Sequence, residues 1–184
     1  MAETLVVSTK ALSTFLEREL RSDHAGETGA VSIYRGILAV ASLKRDRELM
    51  AFALQHGETE AEHLQLIETW LPHQNRSRLL GPWRLAGWLT GALPALFGRR
   101  SVYGTIAAVE TFVDKHYQYQ IEYLIREGGP DGLLPLLQKC QADEIHHRDE
   151  AAALAGQSLS WALRVWCSLV GAGSSAAVVV ARRL

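Results

Sequence analysis

Six side chains in this sequence have the types and spacing to close around a pair of metal ions. Glu27 is followed 33 residues later by Glu60, which opens the run Glu60-Ala61-Glu62-His63. Glu110 is followed 34 residues later by Glu144, which opens Glu144-Ile145-His146-His147. Each half of the chain thus supplies one Glu and then one Glu-x-x-His. Residues three apart on a helix share a face, so each run offers a carboxylate and an imidazole to one point. Four inward Glu and two His from four helices make a carboxylate-bridged dinuclear metal site. One Glu-x-x-His is weak evidence, because solvent-facing helices contain it by chance. Two of them, each preceded at a matching distance by a Glu in an apolar stripe, are strong. A Glu buried among Leu and Ala costs several kcal/mol unless it is paired or bound to an ion. With no interior Arg or Lys among these stripes, the four carboxylates require cations.

The second run has two registers, since Asp143 and His146 are also three apart. The Glu144/His147 stripe runs through Leu133, Leu137, Cys140, Ala151 and Leu154, whereas the Asp143/His146 stripe runs through Lys139 and Glu150. The first is the core face. Asp143, beside Glu144, is then the expected hydrogen-bond partner of His63 across the bundle, because a metal-bound His donates its second ring nitrogen to a carboxylate or carbonyl. His24 and His116 are expected behind the ligands or facing a substrate, with a surface or core role equally open. Asp23 stands one turn before Glu27 and is either a further outer neighbour or an exposed surface Asp. Tyr34 and Tyr117 each follow a candidate ligand Glu by seven residues and either gate electrons, bind a substrate ring or pack the core. His56 and His73 read as structural. An oxygen-rich set with one imidazole per metal suits iron, then manganese, better than zinc or copper. Reductive O2 chemistry at such a pair needs electrons, and the chain has no Gly-x-Gly-x-x-Gly nucleotide loop. The electron donor is therefore external, or the substrate itself is at the quinol level.

The elements that would position these residues are helices. Leu12, Leu16, Leu20, Glu27, Ala30, Tyr34, Ile37 and Ala41 form one stripe, predicting a first helix from Ser8, or from Ser13 as a later cap, to Leu43. A turn at 44–46 lies midway between Glu27 and Glu60, so an antiparallel hairpin brings them level. The second helix runs over 47–71 and ends at Pro72. A third helix in 72–100 is the crossover, the fourth covers 101–127, the fifth ends near 155, and 157–184 holds a sixth. The expected architecture is one all-α, ferritin-like domain over 1–184. Its first hairpin spans 8–71, its membrane-facing crossover 72–100, its second hairpin 101–156 and its C-terminal helix 157–184, the hairpins being an internal repeat.

Charge is distributed unevenly. All 20 acidic residues fall in 1–71 and 101–156, while 72–100 and 157–184 have none and carry five and three Arg respectively. Apolar, Trp-bearing, Arg-flanked and acid-free segments are suited to a surface that meets anionic lipid. Arg84, two Pro and four Gly within 79–98 argue against a single spanning helix there and leave a helix lying in the interface or a crossover buried against the bundle. The net charge of −1 gives no electrostatic reason to expect nucleic-acid binding. Two isolated cysteines exclude a disulfide framework and suit a reducing compartment. Residues 1–10 lack a signal-like or Arg-rich leader, which places the chain on the cytosolic side of a bacterium or after processing.

The motifs Asp23-His24-Ala25-Gly26-Glu27-x-Gly29-Ala30, Ile33-Tyr34-x-Gly36, Glu60-x-x-His63, Ala108-Val109-Glu110 with His116-Tyr117, and Asp143-Glu144-x-x-His147 resemble the demethoxyubiquinone hydroxylases of ubiquinone biosynthesis. The resemblance runs from about Ser22 to the end of the chain. It implies a di-iron monooxygenase that hydroxylates the ring of a polyprenyl methoxy-methyl benzoquinol with O2 and two electrons. Glu27, Glu60, His63, Glu110, Glu144 and His147 are its implied ligands, with His116 and Tyr117 near the substrate. It further implies peripheral attachment to the cytoplasmic face of a bacterial inner membrane, or to the matrix face of the mitochondrial one. A homo-oligomer or a ubiquinone-biosynthesis complex is the setting it leaves open. The competing expectations are a ferritin-like iron oxidase or store, a rubrerythrin-like peroxidase, and a membrane scaffold. The first has no need of the Trp/Arg crossover, and the second brings four cysteine ligands that two Cys cannot supply.

Overall fold

A computed structural model describes residues 12–184, and the earlier option for the start of the first helix, at Ser8, lies outside them. α1 spans Thr14–Lys44 and α2 Arg47–Trp70, followed by a 3-10 turn at His73–Asn75. α3 spans Leu80–Leu96, α4 Arg99–Glu127, α5 Leu133–Ala155 and α6 Trp161–Ala181. Among the described residues there are no strands, so the fold is all-α as expected.

Local chemistry sets most boundaries. Ser13, Asp46 and Ser160 each accept a hydrogen bond from a backbone N–H in the first turn of α1, α2 and α6, satisfying a donor that has no partner within the helix. The first hairpin turns at Arg45, which sits in the left-handed region at φ 56°, with its N–H returned to Ala41 and Ser42. Pro82 lies in the first turn of α3, where a missing N–H costs nothing, and Pro94 lies in its last turn.

α1, α2, α4 and α5 form the bundle. One apolar cluster, around Tyr34, Ile37, Phe52, Tyr103 and Ile106, fills one end. A second, around Leu16, Leu20, Ile67, Tyr117 and Leu137, fills the other. Glu27, Glu60, Glu110 and Glu144 lie between the two along their helices. On α5 the stripe differs from expectation at one place: Leu154 is 43% exposed and Ala155 takes the inward position.

The crossover helix α3 packs along α1 backbone to backbone. A Cβ built at Gly87 would stand 2.3 Å from the Gly29 carbonyl oxygen, one at Gly91 2.0 Å from that of Ile33, and one at Gly36 2.2 Å from that of Trp88. Only glycine permits this approach. The opposite side of α3 leaves Leu85, Trp88, Leu89, Leu93 and Leu96 exposed. α6 lies on α4 and α1 with Ala181 its one buried residue. Among the described helices, α6 alone is long and apolar enough to cross a membrane, and α3 is not.

Candidate metal centre

α1 brings Glu27, α2 brings Glu60 and His63, α4 brings Glu110, and α5 brings Glu144 and His147. All six are between 0% and 4% exposed. Their donor atoms fall into two overlapping sets, Glu27-Glu60-His63-Glu144 and Glu60-Glu110-Glu144-His147, each with its atoms within 4.8 Å of one another. Glu60 and Glu144 belong to both sets, as bridging carboxylates would, while Glu27 with His63 and Glu110 with His147 belong to one each.

Both imidazoles turn Nδ1 inward. His63 Nδ1 lies 3.0 Å from Glu144 Oε1 and 3.9 Å from Glu60 Oε2, and His147 Nδ1 lies 3.1 Å from Glu60 Oε1 and 3.5 Å from Glu144 Oε2. Glu144 Oε2 is buried with no hydrogen-bond donor. Buried carboxylate oxygens in native proteins are satisfied, so an orphan here marks a place for a cation. Burial raises the carboxyls of Glu60 and Glu110 well above the usual range, and the charge of Glu144 adds to it; Glu27 is raised for the same two reasons. Glu144 shifts the other way: burial opposes it, but the nearby imidazoles of His147 and His63 hold its carboxyl low. His63 and His147 are raised, burial being outweighed by Glu144 and the other carboxylates. A metal-free cluster thus balances its charge with protons, which divalent ions would displace. Four carboxylates and two imidazoles in two shared sets fit a pair of iron-class ions.

The surrounding residues fall into three groups. Asp143 lies behind His63, its Oδ2 3.0 Å from Nε2, and also takes Lys139 at 3.1 Å. Tyr117 donates its hydroxyl to Glu27 Oε1 at 2.5 Å, whereas the buried Tyr34 hydroxyl has no partner among the described residues. His116 Nε2 faces Asp23 Oδ1 at 2.8 Å and Ser22 at 3.1 Å, and Gln120 donates to the same Asp23 oxygen at 2.8 Å. His24 lies elsewhere: its Nε2 meets Glu68 at 3.1 Å, and Glu68 also takes Arg76. His56, unassigned by the sequence reading except as structural, packs edge-on against His147 with ring centroids 4.3 Å apart. Burial lowers its pKa to about 4, keeping it neutral. His146 is 69% exposed on its side chain, so the second run sits in the Glu144/His147 register.

A cavity of about 400 Å³ reaches this cluster. Glu27, Glu60, Glu110 and Glu144 line its polar end, and Ile33, Trp83, Val109, Trp166 and Leu169 line its apolar walls. Those walls come from α1, α3, α4 and α6. The part played by Trp166 and Leu169 had no signal in ligand spacing; only the docking of α6 creates it. Gln120 was also missed, although it lies one turn beyond Tyr117 on the inward stripe of α4.

Comparison with known proteins gives the family. The family model described as "Ubiquinone biosynthesis protein COQ7" matches residues 14–181. A 3-demethoxyubiquinol 3-hydroxylase of Rhodospirillum rubrum is 32% identical over 189 residues, covering 100% of this chain and 85% of the relative. A human protein named NADPH-dependent 3-demethoxyubiquinone 3-hydroxylase, mitochondrial, is 32% identical over 174 residues, covering 92% and 78%. A protein of the same name from Dictyostelium discoideum is 37% identical over 135 residues, covering 72% of this chain and 61% of the relative. With nearly its whole length matched and its buried Glu/His cluster formed from both halves of the chain, the protein belongs to the COQ7 family of ubiquinone biosynthesis proteins.

Proposed function

We propose that this chain is a hydroxylase of ubiquinone biosynthesis that adds oxygen to the ring of a demethoxyubiquinol. One atom of O2 enters the ring C–H bond as hydroxyl and the other leaves as water, with two electrons and two protons supplied from outside. The observation that carries this reading is the cavity: its polar end is the carboxylate cluster, and its walls include α3 and α6, the two acid-free helices. A polyprenyl substrate dissolved in lipid needs a greasy route to a buried polar centre. An iron store does not.

Glu27, Glu60, His63, Glu110, Glu144 and His147 would hold two iron ions. Bound there, they would supply the redox chemistry that activates O2 toward an aromatic ring, with the electrons replenished from outside. The chain's own part is positional. Asp143 fixes the tautomer of His63, and Tyr117 fixes the orientation of Glu27. The buried walls from Ile33 and Val109 exclude water and align the ring edge with the cluster. His116 lines the cavity and is held by Asp23 and Ser22, a placement that lets it exchange a proton with the quinol hydroxyl. Human and Dictyostelium relatives are named NADPH-dependent, which supports a nicotinamide as the electron source. The exposed apolar faces of α3 and α6 support peripheral attachment to a quinone-bearing membrane.

The test is to load the protein anaerobically with ferrous ion, add demethoxyubiquinol, a reductant and isotopically heavy O2, and analyse the product by mass spectrometry. A single heavy atom in the ring hydroxyl is expected. Iron uptake without hydroxylated product, or accumulation of many irons per chain with no reaction of the quinol, would overturn the proposal.

A further inference from the structure

The two halves of the centre are copies in sequence but not in their surroundings. In α5 the residue before the ligand Glu144 is Asp143, and in α2 the residue before the ligand Glu60 is Thr59. Both are partly exposed on their helices. Asp143 reaches across to His63 Nε2 at 3.0 Å and is itself held by Lys139. Thr59 has no carboxylate to return. Among the described residues, no hydrogen-bond partner meets His147 Nε2, and the His56 ring packs edge-on against that imidazole instead.

The outer carboxylates repeat the inequality. Tyr117, seven residues after Glu110, donates to Glu27 at 2.5 Å. Its counterpart Tyr34, seven residues after Glu27, leaves its hydroxyl without a partner, so Glu110 receives no matching bond. Both differences favour the same set. Glu27 and His63, which share one set of donors, are each held by a neighbour; Glu110 and His147, which share the other, are not.

A carboxylate on the far nitrogen of a ligand imidazole orients the ring and raises its basicity, and losing it weakens metal binding about 10–100-fold. We infer that the two metal positions are unequal: the one served by Glu27 and His63 fills first and holds its ion tightly, and the one served by Glu110 and His147 fills second and releases its ion first. This rests on the dinuclear reading of the site. The device that sets the order is Asp143, acting through His63 as a positioning residue.

The experiment titrates the metal-free full chain with Co2+ under anaerobic conditions, followed by calorimetry and by visible absorption. Two successive one-ion steps are expected, their affinities about 10-fold or more apart. Asp143→Asn, isosteric and partly exposed, should weaken the tighter site about 10–100-fold and so close or invert the gap, while the affinity of the other site stays as in the parent. Thr59→Asp should tighten the second step and narrow the gap. Circular dichroism of the metal-free variants checks that both fold as the parent does. Two ions entering in one indistinguishable step, Asp143→Asn weakening both steps alike or neither, or a second step unmoved by Thr59→Asp would overturn the inference while leaving a dinuclear site. A chain that binds no Co2+ at all would remove the site itself and the inference with it.

Discussion

Gly91→Ala should destabilise the protein although alanine is the better helix former. A Cβ at residue 91 would stand 2.0 Å from the Ile33 oxygen and 2.8 Å from its carbonyl carbon, against ordinary contact that begins at 3.4 Å. The obstacle is backbone inside α1, so it cannot rotate away. α3 would have to retreat by more than an ångström, and the retreat would loosen the neighbouring approaches at Gly87 and Gly36. Overpacking of this kind costs about 1–3 kcal/mol. The gain from replacing glycine in a helix is about 1 kcal/mol. A steric cost at the upper end, as a backbone obstacle dictates, leaves a net loss of about 2 kcal/mol, roughly a 30-fold smaller folding constant. Urea denaturation of metal-free protein, read by far-UV circular dichroism, measures it. The control is Gly171→Ala on α6, where nothing lies within 4 Å of the new Cβ and stability should hold or rise. If Gly91→Ala proves as stable as Gly171→Ala, the backbone contact between α1 and α3 does not exist as described.

Tyr117→Phe removes the hydrogen bond to Glu27 and should cost about 1–3 kcal/mol in the same assay, whereas Tyr34→Phe, whose hydroxyl has no partner, should cost nothing or stabilise. Asp46→Ala loses the α2 cap and should cost about 1 kcal/mol at neutral pH. Hydrogen bonding from Arg99 holds the Asp46 carboxyl below its ordinary 3.8, so this contribution is complete above that value and disappears as pH falls through the lowered one; a stability difference between parent and variant that persists in strong acid would contradict it. Metal ion at about 100 times its dissociation constant should stabilise the chain by about 2.7 kcal/mol per site, and Glu110→Gln should cut that gain while leaving metal-free stability near the parent's, both read from thermal unfolding with and without Co2+.

The buried Glu/His cluster was legible in the sequence because helix periodicity is local. Glu27, Glu60, Glu110 and Glu144 are polar interruptions of otherwise apolar stripes, and a three-residue offset fixes which His accompanies each run. The all-helical fold and the two acid-free segments were legible for the same reason, since composition and period do not depend on partners. Asp143 could be paired with His63 on general metal chemistry alone. His24 could not be placed, because an imidazole at the edge of a stripe turns to whichever charge is nearest, and Glu68 arrives only when α2 folds back.

What tertiary structure alone decided is where the crossover and the last helix dock. Gly87 and Gly91 stand four apart on α3, a spacing that permits close approach but does not name the surface approached; Gly29, Ile33 and Gly36 of α1 are found there only after packing. The cavity follows from that docking and from α6 laying Trp166 and Leu169 over its side. The unequal surroundings of the two halves of the cluster have the same origin. Tyr34 and Tyr117 occupy matching places in the repeat, yet only one finds its Glu, because a hydrogen bond depends on the distance between helices and a repeat in sequence does not fix that distance.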